Sequence, residues 1–312
     1  MNLRLMLGGL KSLLPIRASS YMGTGGTNIA EYCYSVWLRH MVIINRHVPG
    51  FRPKAVVELG PGDSIGLGIV AVLTGAEVYT GLDVLEHASR ETNLRIFDDV
   101  IPLISNRAEI PDERSLPGLY PRLSDYRYPD GMLDDAVIRK RLSVASLESL
   151  RAELNGPLRG PTFRYVSSWG ADSLPANSAD LVITHGTLQD MDHSESRDDL
   201  TPSLQALARW LKTGGVMSHH IDFSCPGGQP WNHHWAAGDL EWRIIRGKRP
   251  YYKNRVALSQ YRRLLEDVGL EVVHVERVPR PGLSRNEVAP RFRNLPDEDY
   301  QTVAGLVVAV KR

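Results

Sequence analysis

The chain has 312 residues, 42% hydrophobic and 23% charged, and its 37 basic and 36 acidic side chains leave a formal charge of +1. That is the balance of a soluble globular protein long enough for one large domain or two small ones. It excludes a global basic field for nucleic acid or acidic membrane, and Cys33 and Cys225 are too few for a disulfide framework or a metal pair, so a reducing cytoplasm is expected.

No apolar run approaches the length of a membrane span. Near the start, Leu3, Met6, Leu7, Leu10, Leu13 and Leu14 fall on one face of a short helix, while Arg4 and Lys11 interrupt any signal-peptide core. Such a helix either docks on its own domain or a sister subunit, or attaches the protein peripherally to a membrane surface through residues 3–14. A Gly-rich hinge over 23–27 follows. Asn28 with Glu31 reads as a capping box for a helix over 29–48, closed by Pro49 and Pro53. Residues 1–50 are thus expected to form a helical N-terminal extension to a domain over 51–312.

Ala55-Val56-Val57 opens that domain as strand one and runs into Glu58-Leu-Gly-Pro-Gly-Asp-Ser-Ile-Gly66. A helix over 64–73 follows, then a strand over 77–82 ended by Asp83. Strand, glycine turn, helix, strand, acid is the opening of a nucleotide-binding α/β sheet. The glycines are spaced G-x-G-x-x-x-G, wider than the dinucleotide fingerprint. Glu58 and Asp63 would repel a pyrophosphate and suit a ligand carrying an ammonium or sulfonium group. Residues 86–162 are helical, irregular and proline-punctuated, an insertion read as a substrate-side lid with one helix over 134–154. Alternation then resumes: strands over 163–166 and 180–184, a helix over 200–211 stopped by Gly214-Gly215, and a strand over 216–221. A second insertion spans 224–256. A helix over 257–268 with Gly269 as C-cap, a strand over 270–277 and a strand over 303–310 complete the chain. The last two strands lack an intervening helix and predict an antiparallel terminal pair.

This ordered set resembles the class I S-adenosylmethionine-dependent methyltransferases over residues 55–85, 163–223 and 257–310. The resemblance implies a Rossmann-like seven-stranded α/β sheet with an antiparallel last strand, and S-adenosylmethionine as cofactor. Carried over by position, Glu58, Gly60, Gly62 and Ser64 would surround the cofactor's methionine part. Pro61 departs from the small residue usual between the glycines and removes one amide donor. Asp83 would accept from both ribose hydroxyls and Val84 would flank the adenine. Ala171 and Asp172, after strand three, would lie where the family contacts the adenine ring and its amine, although Asp172 could equally cap a turn. His185, ending strand four, would lie beside the methionine end.

The sulfonium is already a good methyl donor, so the protein must align an acceptor and, for a hydroxyl, remove its proton. Six of ten histidines fall between 185 and 234: His185, His193, His219, His220, His233 and His234. Ligands bind at the carboxyl ends of strands in an open parallel sheet. His219 or His193 is therefore the expected base, with Asp190 or Asp222 orienting it. Asp190, Asp192, His193 and Asp222 could also hold a divalent ion, but no spacing is diagnostic and no metal is expected.

The second insertion carries Trp231-Asn-His-His-Trp235 and a basic run from Trp242 to Arg255. It is either a surface for an anionic or glycosylated acceptor or a solvated basic loop with tryptophan anchors in the core. The stretch resembles bacterial methyltransferases linked to cell-surface polysaccharide synthesis, which implies a glycan acceptor. A small-molecule or lipid acceptor is the alternative within the enzyme class. Nucleic acid is not expected, since the Asn/Asp-Pro-Pro-aromatic run of amino-methylating DNA enzymes is missing. A non-catalytic binding subunit and a nicotinamide dehydrogenase are the competing classes. The expected location is the cytoplasm or the inner face of the membrane.

Overall fold

The computed structural model describes residues 3–13, 25–191, 200–248 and 253–312. Seven strands form one sheet in the order β3-β2-β1-β4-β5-β7-β6. They are β1 (Ala55–Leu59), β2 (Val78–Asp83), β3 (Phe163–Ser167), β4 (Ala179–His185), β5 (Leu211–Asp222), β6 (Leu270–Pro279) and β7 (Thr302–Lys311). The first five are mutually parallel, and β7 enters between β5 and β6 antiparallel to both. This is the Rossmann-like class I methyltransferase sheet. The chain order reverses between β1 and β4, the position outside whose carboxyl ends open α/β sheets bind ligands.

Helices cover both faces. One carries α2 (Ala30–His47), α3 (Gly66–Thr74), α4 (Arg90–Ser105), α5 (Asp135–Arg141) and α6 (Val144–Asn155), packed on Val56, Ile183, Val216 and Val308. The other carries α7 (Thr201–Trp210) and α9 (Leu258–Asp267), packed on Val57, Val182, Met217 and Val307. The residues facing each way alternate along the strands, as the pleat requires. A smaller cluster joins α1 (Leu3–Lys11) to α8 (Asp239–Arg246) of the second insertion.

Several local expectations are corrected. The capping box is not formed: α2 starts from Ile29 without a side-chain cap, and the Asn28 carbonyl instead accepts from Arg95. The single helix over 134–154 is two, because Ser143 takes an extended backbone conformation and caps α6 with its hydroxyl. β5 begins at Leu211, immediately after α7, and carries Gly214 and Gly215 inside it. The first insertion is no detached lid. Ile96, Phe97, Val100, Leu150 and Leu154 are buried in the main core.

α2 pins the remainder of that insertion. The fully buried Arg39 donates from Nε to Ser35, from Nη2 to the Pro111 carbonyl at 2.7 Å and from Nη1 to the Pro121 carbonyl at 2.6 Å. Nη1 also meets Glu113 at 2.9 Å. A buried guanidinium with its donors matched in this way stabilises the loop, whereas a lone one would cost several kcal/mol. The loop that carries Tyr120 is thereby held against the sheet's carboxyl edge.

Candidate active site

The glycine turn is built for close approach. Gly60 and Gly62 both have left-handed backbone, φ 73° and 74°. A methyl group at Gly60 would come within 2.5 Å of the Thr187 side chain, so the turn after β1 nests against the loop after β4. The Gly60 amide donates to the Leu82 carbonyl at 2.8 Å, which draws the end of β2 beside the turn.

Glu58 lies beneath the turn, 2% exposed, and accepts from the Tyr79 hydroxyl at 2.6 Å. Burial pushes its carboxyl up to about 8; the Tyr79 bond opposes the shift and the nearby Asp83 adds to it. Asp83 is also buried, and burial raises its carboxyl while the Val84 amide, donating at 2.8 Å, holds it down. Val84 and Leu85, just beyond, are among the exposed large apolar residues. Two buried acids thus lie at the ends of β1 and β2, next to two exposed apolar residues.

Ser64 is placed differently from expectation. Its hydroxyl donates to the Thr27 carbonyl and accepts from the Gly66 amide at 3.0 Å, and it is covered by the segment leading into α2. The Thr27 hydroxyl also accepts from the Asp63 amide at 3.0 Å. Ser64 therefore fastens the N-terminal segment to the glycine turn, with its hydroxyl engaged by Thr27 and Gly66. Ala171 and Asp172 follow β3. The Ala171 carbonyl accepts from Trp210 Nε1 at 3.0 Å and from Arg209. The Asp172 carboxylate is largely exposed beside Arg209 at 3.0 Å.

The histidines divide by strand parity. On the α2 face, His185 ends β4 and His220 lies near the end of β5, their rings stacked with centroids 4.4 Å apart. His40 of α2 bridges inward, with Nε2 3.1 Å from His185 Nδ1 and Nδ1 2.7 Å from Ser218 Oγ. Burial drives His40 down to about 3 and His220 to about 4, so both are neutral at physiological pH. Neither ring nitrogen of His220 has a hydrogen-bond partner, although the ring is buried between His185 and Tyr120.

His219 points to the opposite face. It is 0% exposed, with Nδ1 3.0 Å from Thr184 Oγ1 and Nε2 3.4 Å from Met217 Sδ. Burial lowers it to about 3. His219 is thus set in the core that faces α7 and α9, apart from the His185–His220 pair, and its two nitrogens meet Thr184 and Met217. His193 and Asp192 lie outside the described residues.

Asp190 and Asp222 are brought together by a residue that sequence reasoning passed over. Lys253, at the end of the second insertion, places Nζ 3.8 Å from a carboxylate oxygen of each, and it donates to the Asp222 carbonyl at 3.0 Å. Burial lifts Asp190 to about 6; Lys253 pulls it down and Asp222 pushes it up. Asn254 locks the arrangement, donating from Nδ2 to the carbonyls of Leu188 at 2.8 Å and Met191 at 3.0 Å. The sequence signal for Lys253 was only its membership of a basic run.

Trp231, Trp235 and Trp242 are each no more than 2% exposed and anchor the second insertion in the core. They offer no face to a sugar, which decides between the two readings of that segment's tryptophans. Among the described residues no group of three His, Cys, Asp or Glu side chains is arranged to hold a metal ion.

No protein-family model matches the chain, and no curated protein matches it in sequence. Solved structures do align with it. A phosphoethanolamine N-methyltransferase 2 of Haemonchus contortus, with S-adenosyl-L-methionine, is 14% identical over 92% of this chain and 58% of its own, TM-score 0.43. S-adenosylmethionine-dependent methyltransferases of Mesorhizobium loti and Methanosarcina mazei are each 14% identical over 86% of this chain and 96% of their own, TM-score 0.41. The fold assignment itself rests on the strand order and register.

Proposed function

We propose that this chain transfers a methyl group from S-adenosylmethionine to a hydroxyl oxygen. The observation that carries the reading is a buried carboxyl, Glu58, under a turn of two left-handed glycines with a second buried acid, Asp83, at the neighbouring strand end. A buried acid next to a backbone cradle suits a cationic ligand without phosphates. Glu58 would face the ammonium end, Asp83 the ribose hydroxyls, and Val84 with Leu85 the adenine. The bound cofactor supplies an electrophilic methyl on sulfur. The chain's own residues must exclude water, orient the acceptor and hold its proton.

The carboxyl ends of β4 and β5 suit that task. Asp190, its carboxyl lifted to about 6, is ionised at neutral pH yet basic enough to take a proton from a hydroxyl as the oxygen–carbon bond forms. Lys253 fixes the carboxylate's direction, and Asp222 shares the lysine. His220, neutral and with two buried ring nitrogens that lack a partner, is the further polar group at this edge, and it would meet an acceptor once the covering Tyr120 ring shifts. Asp190 therefore replaces His219 as the base in this reading.

A glycan precursor remains the acceptor class that the second insertion's sequence resemblance suggests. Burial of its three tryptophans favours a second reading, a compact small-molecule hydroxyl held by polar side chains. A structure with S-adenosylhomocysteine tests both the donor site and the base. The sulfur is expected over the ends of β1 and β4, with Asp190 or His220 on the side of the missing methyl. A sulfur facing neither would overturn the assignment.

A further inference from the structure

The N-terminal helix turns Leu5 and Gly9 to the protein and leaves most of its described leucines outside. Leu5 is buried with Cys225, Ala237, Trp242 and Ile245. Gly9 lies so close to α8 that a methyl there would strike the Ile244 and Ile245 carbonyls, and the Lys248 amide donates to Ser12 Oγ at 2.9 Å. Docking through these residues leaves Leu7, Leu10 and Leu13 at 50%, 46% and 49% exposure. Leu240 on α8 is 71% exposed. Half of the eight exposed large apolar residues among the described residues thus sit on these two packed helices or the turn that follows α1. Leucines in such a position are apolar area left in water with no gain to the core.

The cations follow the same elements. Lys11, Arg243 and Lys248 are exposed on or next to the pair. Of the two acids on α8, Asp239 is engaged by Arg255 and Arg291 at 2.7 and 2.8 Å, so its charge is met within the protein, and the half-buried Glu241 is outnumbered by the three cations. Leucines interleaved with exposed basic residues suit the boundary between acyl chains and anionic headgroups. A second copy of the chain would set the same cations against each other, which disfavours self-association through this face.

We propose that the α1–α8 pair docks the protein peripherally on an anionic lipid surface. Leu7, Leu10, Leu13 and Leu240 enter the acyl boundary, and Lys11, Arg243 and Lys248 meet the headgroups. The inference is independent of the methyl-transfer reading.

Co-sedimentation of the full chain with vesicles tests it. Phosphatidylcholine vesicles containing phosphatidylglycerol should carry the protein down at about 0.1 M salt, and much less at about 1 M, where the Debye length shrinks to about 3 Å. The variant L7S/L10S/L240S should lose roughly tenfold or more in partition, since each leucine removed from the apolar phase lowers it. K11E/R243E should weaken binding to anionic vesicles while leaving weak binding to pure phosphatidylcholine unchanged. Both variants alter exposed positions and should keep the wild-type circular dichroism and melting temperature. Failure of the wild type to sediment, or equal sedimentation of the leucine variant, would overturn the proposal. So would light scattering that shows a dimer dissolved by the leucine substitutions, which would assign the face to self-association.

Discussion

Glu58 offers a proton-linked signature of cofactor binding. Its ordinary value of 4.5 is raised to about 8 by burial. With folded and unfolded values in that order, its contribution to stability is complete below about 4.5 and is lost as pH rises through about 8. At pH 7 the carboxyl of the free protein is therefore about nine-tenths protonated. A sulfonium and an ammonium placed nearby favour the carboxylate. If they bring it to about 6 or below, at least ~0.8 proton leaves per bound molecule. The ligand's own amine, near 7.8 in the unperturbed state, is already mostly charged and takes back at most ~0.15. Titration calorimetry in two buffers of different ionisation enthalpy should thus find roughly 0.7 proton released per S-adenosylmethionine at pH 7. Glu58→Gln should abolish the release and flatten stability between pH 5 and 9. Net proton uptake, or a release that survives Glu58→Gln, would refute the placement of this carboxyl against the cofactor's cation.

Two further outcomes follow from the site. His220→Phe removes two buried nitrogens that have no partner, a penalty of about 1–3 kcal/mol, and keeps a planar ring between His185 and Tyr120. Urea unfolding should show a gain of about 1 kcal/mol after some overpacking, with S-adenosylmethionine affinity unchanged and turnover lost; a loss of stability would show that the imidazole serves the core. Lys253→Met leaves two carboxylates facing each other. Asp190 should titrate higher, so the acid limb of the pH–rate profile moves to higher pH. Stability near pH 7 should fall by about 1–2 kcal/mol, discounted because both acids are partly exposed. An unmoved limb would remove Asp190 from the reaction.

The succession of strands and helices, the glycine turn and the acid ending β2 were legible in the sequence because each depends on local pattern: apolar runs, turn glycines and an acid at a strand end. The sheet face taken by each histidine was not. β5 is buried on both faces, so hydrophobic alternation gives no phase, and His219 and His220 differ only in which face they meet. A similar ambiguity hid the orientation of α1. Its leucine stripe is the stronger periodic signal, yet the small Gly9 admits the closer packing. Lys253 could not be found by spacing, since its partners lie 63 and 31 residues away and are joined only by the fold. Ser64 matched a family position, but the register of the N-terminal segment decided its hydrogen bonds.

Calorimetric titration of the purified chain with S-adenosylmethionine, beside NADH and beside Gly60→Ala, tests the central claim most directly. Saturable one-site binding is predicted for the wild type, with no heat from NADH. Gly60→Ala should bind roughly tenfold more weakly or worse, because φ of 73° and the Thr187 side chain at 2.5 Å both oppose an alanine there. NADH binding without S-adenosylmethionine binding, or no binding of either, would contradict it.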